Sequence, residues 1–418
     1  MKKKLVLTAL LYLTTLAGGA QVQPSSALIG AWTGKLNVMG TSLTLVLHLD
    51  EAEGHVKASL DSPDQSAKGI PCETEFLSDD SVAVKVAMIN ATYRARLADE
   101  GLNGTFTQMG MSFPLILKKG EETLRRPQTP QQPYPYKTEE VTFCNEADGA
   151  TLAGTLTYPV GFETMKKGRV PVVLMVTGSG QENRDEEIYD HKPFLVIADY
   201  LARRGIASLR YDDRATGASV GGEVANATTE DFMRDAAAGM ACLRSMKAFG
   251  RVGCLGHSEG GSIAFMLASR GQADFVVSLA GPGVKGDTLL AAQVNRIMKS
   301  AAMTTEKYRQ QAAVQQSPWM RWFIDYDPAA DIRQARCPVF ALNGDNDCQV
   351  VSSLNLEAIR RLLPPSKKNL VREYASLNHL FQHSTTGLPM EYRQIEETIA
   401  EEVLDDIATW IVNQAASR

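Results

Sequence analysis

The sequence predicts an α/β fold, a mostly parallel sheet with helices on both faces, preceded by a small all-β domain. Three observations carry this. From about residue 28 to 119, short stretches alternate apolar and polar side chains between turn signals, whereas beyond Glu139 short apolar runs alternate with helical stretches. A polar run with four prolines, Arg125-Arg126-Pro127-Gln128-Thr129-Pro130-Gln131-Gln132-Pro133-Tyr134-Pro135, separates the two regimes. Finally, Gly256-His257-Ser258-Glu259-Gly260 sets a serine in a G-x-S-x-G turn between a short apolar strand and a helix, the setting of a nucleophile elbow.

The chain has 418 residues, 44% hydrophobic, with a formal net charge of −5. That length accommodates two domains with sizeable cores, and mild acidity without a basic block argues against nucleic acid as a partner. Residues 1–20 read as a secretory signal peptide. Met1-Lys2-Lys3-Lys4 is basic, Leu5–Leu13 is apolar, and Ala17-Gly18-Gly19-Ala20 offers small residues for cleavage. The mature protein is therefore expected to be exported, in a bacterial periplasm or secreted, without stable membrane insertion. Six cysteines (Cys72, Cys144, Cys242, Cys254, Cys337, Cys348) show no metal-ligand spacing and specify no disulfide framework.

Residues 25–120 are expected to form the first domain, an antiparallel barrel or sandwich. Leu43–Leu49, Val82–Met88 and Ala91–Leu97 alternate as half-buried strands, with turns at Asp61-Ser62-Pro63-Asp64, Asp79-Asp80, Glu100-Gly101 and Asn103-Gly104. His48 and His55 lie on these strands, where a structural role is the default. Residues 121–137 form the linker, and residues 138–418 the second domain. There, Val170–Val176 is a continuous apolar run, as a strand covered on both faces requires. A helix near Phe194–Arg204, a strand at Ile206–Leu209, a helix from Thr229 to Ala248 and strands at Phe275–Leu279, Pro338–Leu342 and Asn369–Glu373 follow, with a closing helix at Glu391–Gln414.

A serine nucleophile needs a base, and the base an orienting carboxylate, here in the chain order serine, acid, histidine. Beyond Ser258 only His379 and His383 remain; His379 follows the last strand among apolar neighbours and is the favoured base. Asp347, in Gly344-Asp345-Asn346-Asp347, is the favoured acid and Asp345 the alternative. The backbone amide of Glu259 is one oxyanion donor; the amide of Ser179 or Gln181, in Thr177-Gly178-Ser179-Gly180-Gln181, is the other.

Together with Arg210-Tyr211-Asp212-Asp213-Arg214 and Asn378-His379, these segments give the second domain a resemblance to α/β-hydrolases of the serine aminopeptidase-like and prolyl-oligopeptidase-like branch. The whole chain resembles exported bacterial carboxylesterases of EstD type. The resemblance implies an α/β-hydrolase fold and ester hydrolysis through an acyl-enzyme, with no metal and no cofactor. Ala215 departs from the glycine usual after that arginine. A helical insertion at about 284–335 is expected to form a cap, with Trp319, Trp322 and Phe323 either lining the substrate pocket or anchoring the cap. The substrate is then a small ester with a short acyl chain. A peptidase or amidase is the alternative chemistry, and a non-catalytic binding or scaffold protein the alternative class; association into a homo-oligomer is left open. A chain beginning near Tyr136 is expected to keep activity on a small soluble ester.

Overall fold

The computed structural model describes residues 25–38, 41–52, 55–65, 67–120, 124–312 and 317–416, so the signal peptide proposed for residues 1–20 lies outside the described residues. The chain divides into two compact units, residues 1–123 and 124–418.

The first unit is a closed antiparallel barrel of β1 (Gly30–Val38), β2 (Thr41–Ala52), β3 (His55–Ser62), β4 (Ala67–Ser78), β5 (Ser81–Val86), β6 (Ala91–Ala98), β7 (Gly101–Gln108) and β8 (Met111–Lys119). Each strand pairs with the next, and β1 closes on β8. Closure leaves no free edge. The alternation read from the sequence turns Leu45, Leu47 and Leu49 of β2 inward with Val82, Val84, Tyr93 and Leu115. His48 meets Asp61 at 3.0 Å across β2 and β3, consistent with a structural role.

The second unit is built on a mixed sheet of β9 (Thr138–Asn145), β10 (Ala150–Thr157), β11 (Val172–Val176), β12 (Ala207–Tyr211), β13 (Val220–Gly221), β14 (Val252–His257), β15 (Val276–Leu279), β16 (Val339–Gly344) and β17 (Leu370–Tyr374). From β12 through β11, β14, β15 and β16 to β17 the neighbours run parallel, while β9, β10 and β13 pair antiparallel. Helices cover both faces: α1 (Pro193–Arg203), α2 (Thr229–Ser245), α3 (Glu259–Ser269), the inserted helices α4 (Gly286–Ile297), α5 (Thr305–Ala312), α6 (Pro318–Asp325) and α7 (Ala329–Arg333), then α8 (Ser352–Leu362), α9 (Pro389–Tyr392) and α10 (Glu401–Ala416). Alternate residues of β11 feed two cores. Val172, Leu174 and Val176 pack with α2, α3 and α8, whereas Val173 and Met175 pack with α1 and α10. That two-sided burial is why β11 reads as an unbroken apolar run.

Two expectations need correction. The closing helix expected at Glu391–Gln414 is two helices, α9 and α10, separated by residues 393–400. And the proline-rich segment from Leu124 onward, expected as a semi-rigid linker, is part of the second unit, where it supplies the hydrogen bonds that this interruption leaves open. The Arg126 guanidinium donates to the carbonyls of Arg393 and Ile395 (2.8 and 2.9 Å) and to that of Tyr189. Gln128 accepts from the Thr398 and Ile399 amides and donates to the Ile399 carbonyl. A non-helical stretch persists in a buried setting only when its backbone groups find such partners.

Candidate active site

The parallel strands end where an α/β sheet places its ligands, outside the carboxyl ends. β14 ends at His257, and Ser258 takes φ 53° and ψ −117°, a strained conformation for a residue with a side chain, before α3 begins at Glu259. The turn is this tight because its glycines have no Cβ. One on Gly256 would lie 1.9 Å from the Gly260 carbonyl oxygen, and one on Gly260 2.2 Å from that of Val176. As the first residue of α3, Glu259 carries an amide with no intrahelical acceptor, at the positive end of the helix.

His379 and Asp347 meet. His379 Nδ1 donates to Asp347 Oδ2 at 2.7 Å, with both side chains buried. Asp347 Oδ1 accepts the amides of Gln349 and Val350, which fix the carboxylate. The other two candidates are not brought in. Asp345 accepts the Ser376 amide in a turn, and His383, half exposed, pairs with Glu397.

The loop after β11 lies against the serine: a Cβ on Gly178 would be 3.4 Å from that of Ser258. Two carboxyl groups hold this loop. Glu186 Oε1 accepts the Gly178 amide (3.0 Å), and Asp213 accepts the Thr177 hydroxyl and the Glu182 amide (2.9 Å). The amides between those two points belong to Ser179, Gly180 and Gln181. Asp212 and Arg214, read from the sequence as charged neighbours of Asp213, are structural ion pairs with Arg184 and Asp235, and Arg210 pairs with Asp185. Ala215 adopts φ 55°, the region that glycine favours, so its departure from glycine costs about 1 kcal/mol of backbone strain.

A cavity of about 420 Å³ opens beside this loop, lined by Ser179, Gly180, Gln181, Val224, Ala227, Phe232 and Trp319. Of the three aromatics expected either to line the substrate pocket or to anchor the insertion, only Trp319 lines this cavity. The reason is the face each presents: Phe323 is buried with Leu289 and Val350, and Trp322 stacks on Tyr326 (4.7 Å) against the sheet core. Those two anchor the cap. The Trp319 indole donates to Glu259 Oε1 at 2.8 Å, which ties α6 to the residue after the serine.

Sequence reasoning gave no role to the acidic side chains and the histidine ring that lie buried or half-buried around the turn. Burial, with the charges of Glu186 and Asp213, pushes the Glu182 carboxyl up to about 9. Burial likewise raises Asp213 to about 7, against its hydrogen bonds, and Glu259 to about 7 against those from Thr229 and Trp319. For His257 burial works the other way, but the Glu186 carboxylate and the His379 carbonyl outweigh it and push the imidazole up to about 9. All four values lie above those of the unfolded chain, so the folded state binds more protons across that interval. The stability they contribute is complete below the unfolded values and is lost as pH rises through about 9. We therefore expect the melting temperature to fall steadily from pH 5 to pH 9, and Glu182→Gln to flatten that slope in calorimetric scans. A slope unchanged by the substitution would contradict this.

Residues 191–337 match the serine aminopeptidase family S33. Esterase EstD of Thermotoga maritima is 28% identical over 279 residues, which cover 62% of this chain and 65% of that protein. Among solved structures, a hypothetical protein from Pseudomonas aeruginosa superposes with a TM-score of 0.50 at 14% identity, over 70% of this chain and 98% of its own. An esterase from Pyrococcus furiosus gives 0.46 at 18%, over 70% and 99%.

Proposed function

We propose that this chain, whose second unit is an α/β-hydrolase of the serine aminopeptidase S33 type, is a serine carboxylesterase acting on small esters with short acyl chains. The carrying observation is the buried His379–Asp347 pair, packed through His257 against the turn that holds the strained Ser258. With Nδ1 held by Asp347, His379 keeps one tautomer and presents Nε2 as base. The His379 and His257 rings lie 4.7 Å apart between centroids, and His257 is the residue before the serine, so the loop that carries the base packs against that turn.

In this reading Ser258 Oγ attacks the ester carbonyl and its proton passes to His379. The oxyanion is met by the Glu259 amide and by the Ser179 amide, which adjoins Gly178 against the serine and is preferred over that of Gln181 for that reason. Collapse breaks the ester C–O bond, and the alcohol leaves with the proton from His379. Water then attacks the acyl-enzyme, giving its proton to His379, and the acid departs as Ser258 is restored. The residues present complete this sequence without a metal or organic cofactor. Among the described residues that line the cavity none is acidic, and of the acids nearby Glu182 is kept protonated by burial and Glu259 is engaged by Thr229 and Trp319, so no ready anionic anchor meets a substrate amine. That favours esters over aminopeptidase substrates.

A cavity of about 420 Å³ lies toward the small end of ligand pockets, about 300–1,000 Å³. Turnover of p-nitrophenyl esters is expected to peak between two and eight acyl carbons. Trp319→Ala should lengthen the preferred chain and raise kcat/KM for a twelve-carbon ester about tenfold relative to the acetate. Faster turnover of a long-chain triglyceride emulsion, or of aminoacyl anilides, by the wild-type protein would overturn this reading. The residues at 1–20 further suggest an exported protein, which N-terminal sequencing of material secreted by a bacterial host would test.

A further inference from the structure

His257 has no part in the chemistry above, yet its side chain is engaged on both sides in the turn. It is 6% exposed, and both of its ring nitrogens face acceptors: Nδ1 donates to Glu186 Oε1 at 2.8 Å and Nε2 to the main-chain carbonyl of His379 at 3.0 Å. A carbonyl only accepts. With a carboxylate on the other side, the ring satisfies both partners as a doubly protonated imidazolium. Its charge is consistent with the surroundings, where the Glu186 carboxylate is the charge that faces it, Glu182 nearby is protonated, and the His379 ring is its titratable neighbour.

The same Glu186 oxygen also accepts the Gly178 amide. One carboxylate and one imidazole thus connect three separate pieces of chain, namely the loop after β11, the nucleophile turn and the loop carrying His379. Glu186 itself is held at φ 53°, and Tyr189 and Asp190 in the same segment also have positive φ. Three non-glycine residues in that region within five positions mark a segment whose conformation is imposed by its contacts. Among those contacts is the Tyr189 carbonyl on Arg126.

Building on the esterase reading above, we propose that Glu186 and His257 are positioning residues that lock the oxyanion loop to the loop of the base, so that their loss slows acyl transfer without weakening substrate binding. Neither touches the reacting atoms. They act because a displacement of about 1 Å in a catalytic group costs roughly a hundredfold in rate, and here one charged pair sets the relative position of a donor loop and the base.

The test compares full-length wild-type protein, Glu186→Gln, Glu186→Ala and His257→Gln with p-nitrophenyl acetate and a fluorophosphonate. Gln at 186 keeps an oxygen for the Gly178 amide but removes the charge. The expected result is a kcat about tenfold lower in Glu186→Gln and about a hundredfold lower in Glu186→Ala, with KM within about threefold, and fluorophosphonate labelling slowed in parallel. His257→Gln, which keeps one N–H for the His379 carbonyl, should resemble Glu186→Gln. Wild-type kcat in folded Glu186→Gln or Glu186→Ala, or a rise in KM with kcat unchanged, would overturn the proposal. If Glu186→Ala does not fold, Glu186→Gln decides alone by the same criterion. Failure of the esterase reading is a separate outcome, since the wild-type protein itself would then neither hydrolyse the ester nor take up the fluorophosphonate.

Discussion

Ser258→Ala is expected to abolish ester hydrolysis while leaving the fold unchanged. Alanine at φ 53° is as strained as serine, so the turn neither gains nor loses; the exchange removes only the attacking oxygen. Where such groups act as a unit, losing one costs about as much as losing all, on the order of 10⁶ in kcat. His379→Ala should cost at least about a thousandfold. Asp347→Asn should cost about 10³–10⁴, because an amide facing Nδ1 favours the wrong tautomer of the imidazole. His383→Ala provides the contrast: that ring is half exposed and bonded to Glu397, so its loss should leave kcat within about twofold. Steady-state kinetics on p-nitrophenyl acetate, with circular dichroism to establish folding, separate these outcomes. If His383→Ala were crippling and His379→Ala mild, the base would be misassigned.

Where the chain is cut should matter nearly as much. A protein starting at Leu124 keeps the proline-rich segment, whereas one starting at Lys137 loses Arg126, Gln128 and Tyr136. Hydrogen bonds from a charged donor contribute about 1.5–3 kcal/mol each. The carbonyls of Tyr189, Arg393 and Ile395 and the amides of Thr398 and Ile399 would all lose their partners together. At about 2–4 °C per kcal/mol for a unit of this size, the shorter protein should melt at least about 10 °C below the longer one. Activity should drop too, since the Tyr189 loop also carries Glu186. A chain beginning near Tyr136 is still expected to keep measurable activity on a small soluble ester, at this cost in stability. Equal melting temperatures and equal kcat for the two truncations would show the segment to be dispensable.

What the sequence made legible follows from what kind of force places each element. The parallel strands stand out because two-sided burial demands apolar runs such as Val172–Val176. Ser258 stands out because the turn needs glycines at fixed offsets, and the order serine, acid, histidine then leaves few candidates. That His379 rather than His383 would be buried was legible from its apolar neighbours, which the structure buries as Leu377, Leu380 and Phe381. Other features depend on partners distant along the chain. The break between α9 and α10 contains no proline or glycine; it is set by Gln128, some 270 positions away. Glu186 and His257 meet across 71 positions and carry no local pattern. Composition marked α6 as aromatic but not which ring faces the cavity, so Trp319 could not be told from Trp322 and Phe323.

Ser258, with His379 and Asp347 behind it, is expected to be a reactive nucleophile. Mass spectrometry of the full-length protein after exposure to a fluorophosphonate tests it most directly. One adduct per chain is expected, mapped to the peptide containing Ser258, absent from Ser258→Ala and strongly slowed in His379→Ala. An unlabelled but folded wild-type protein, or a Ser258→Ala variant that still hydrolyses p-nitrophenyl acetate and carries the adduct elsewhere, would contradict it.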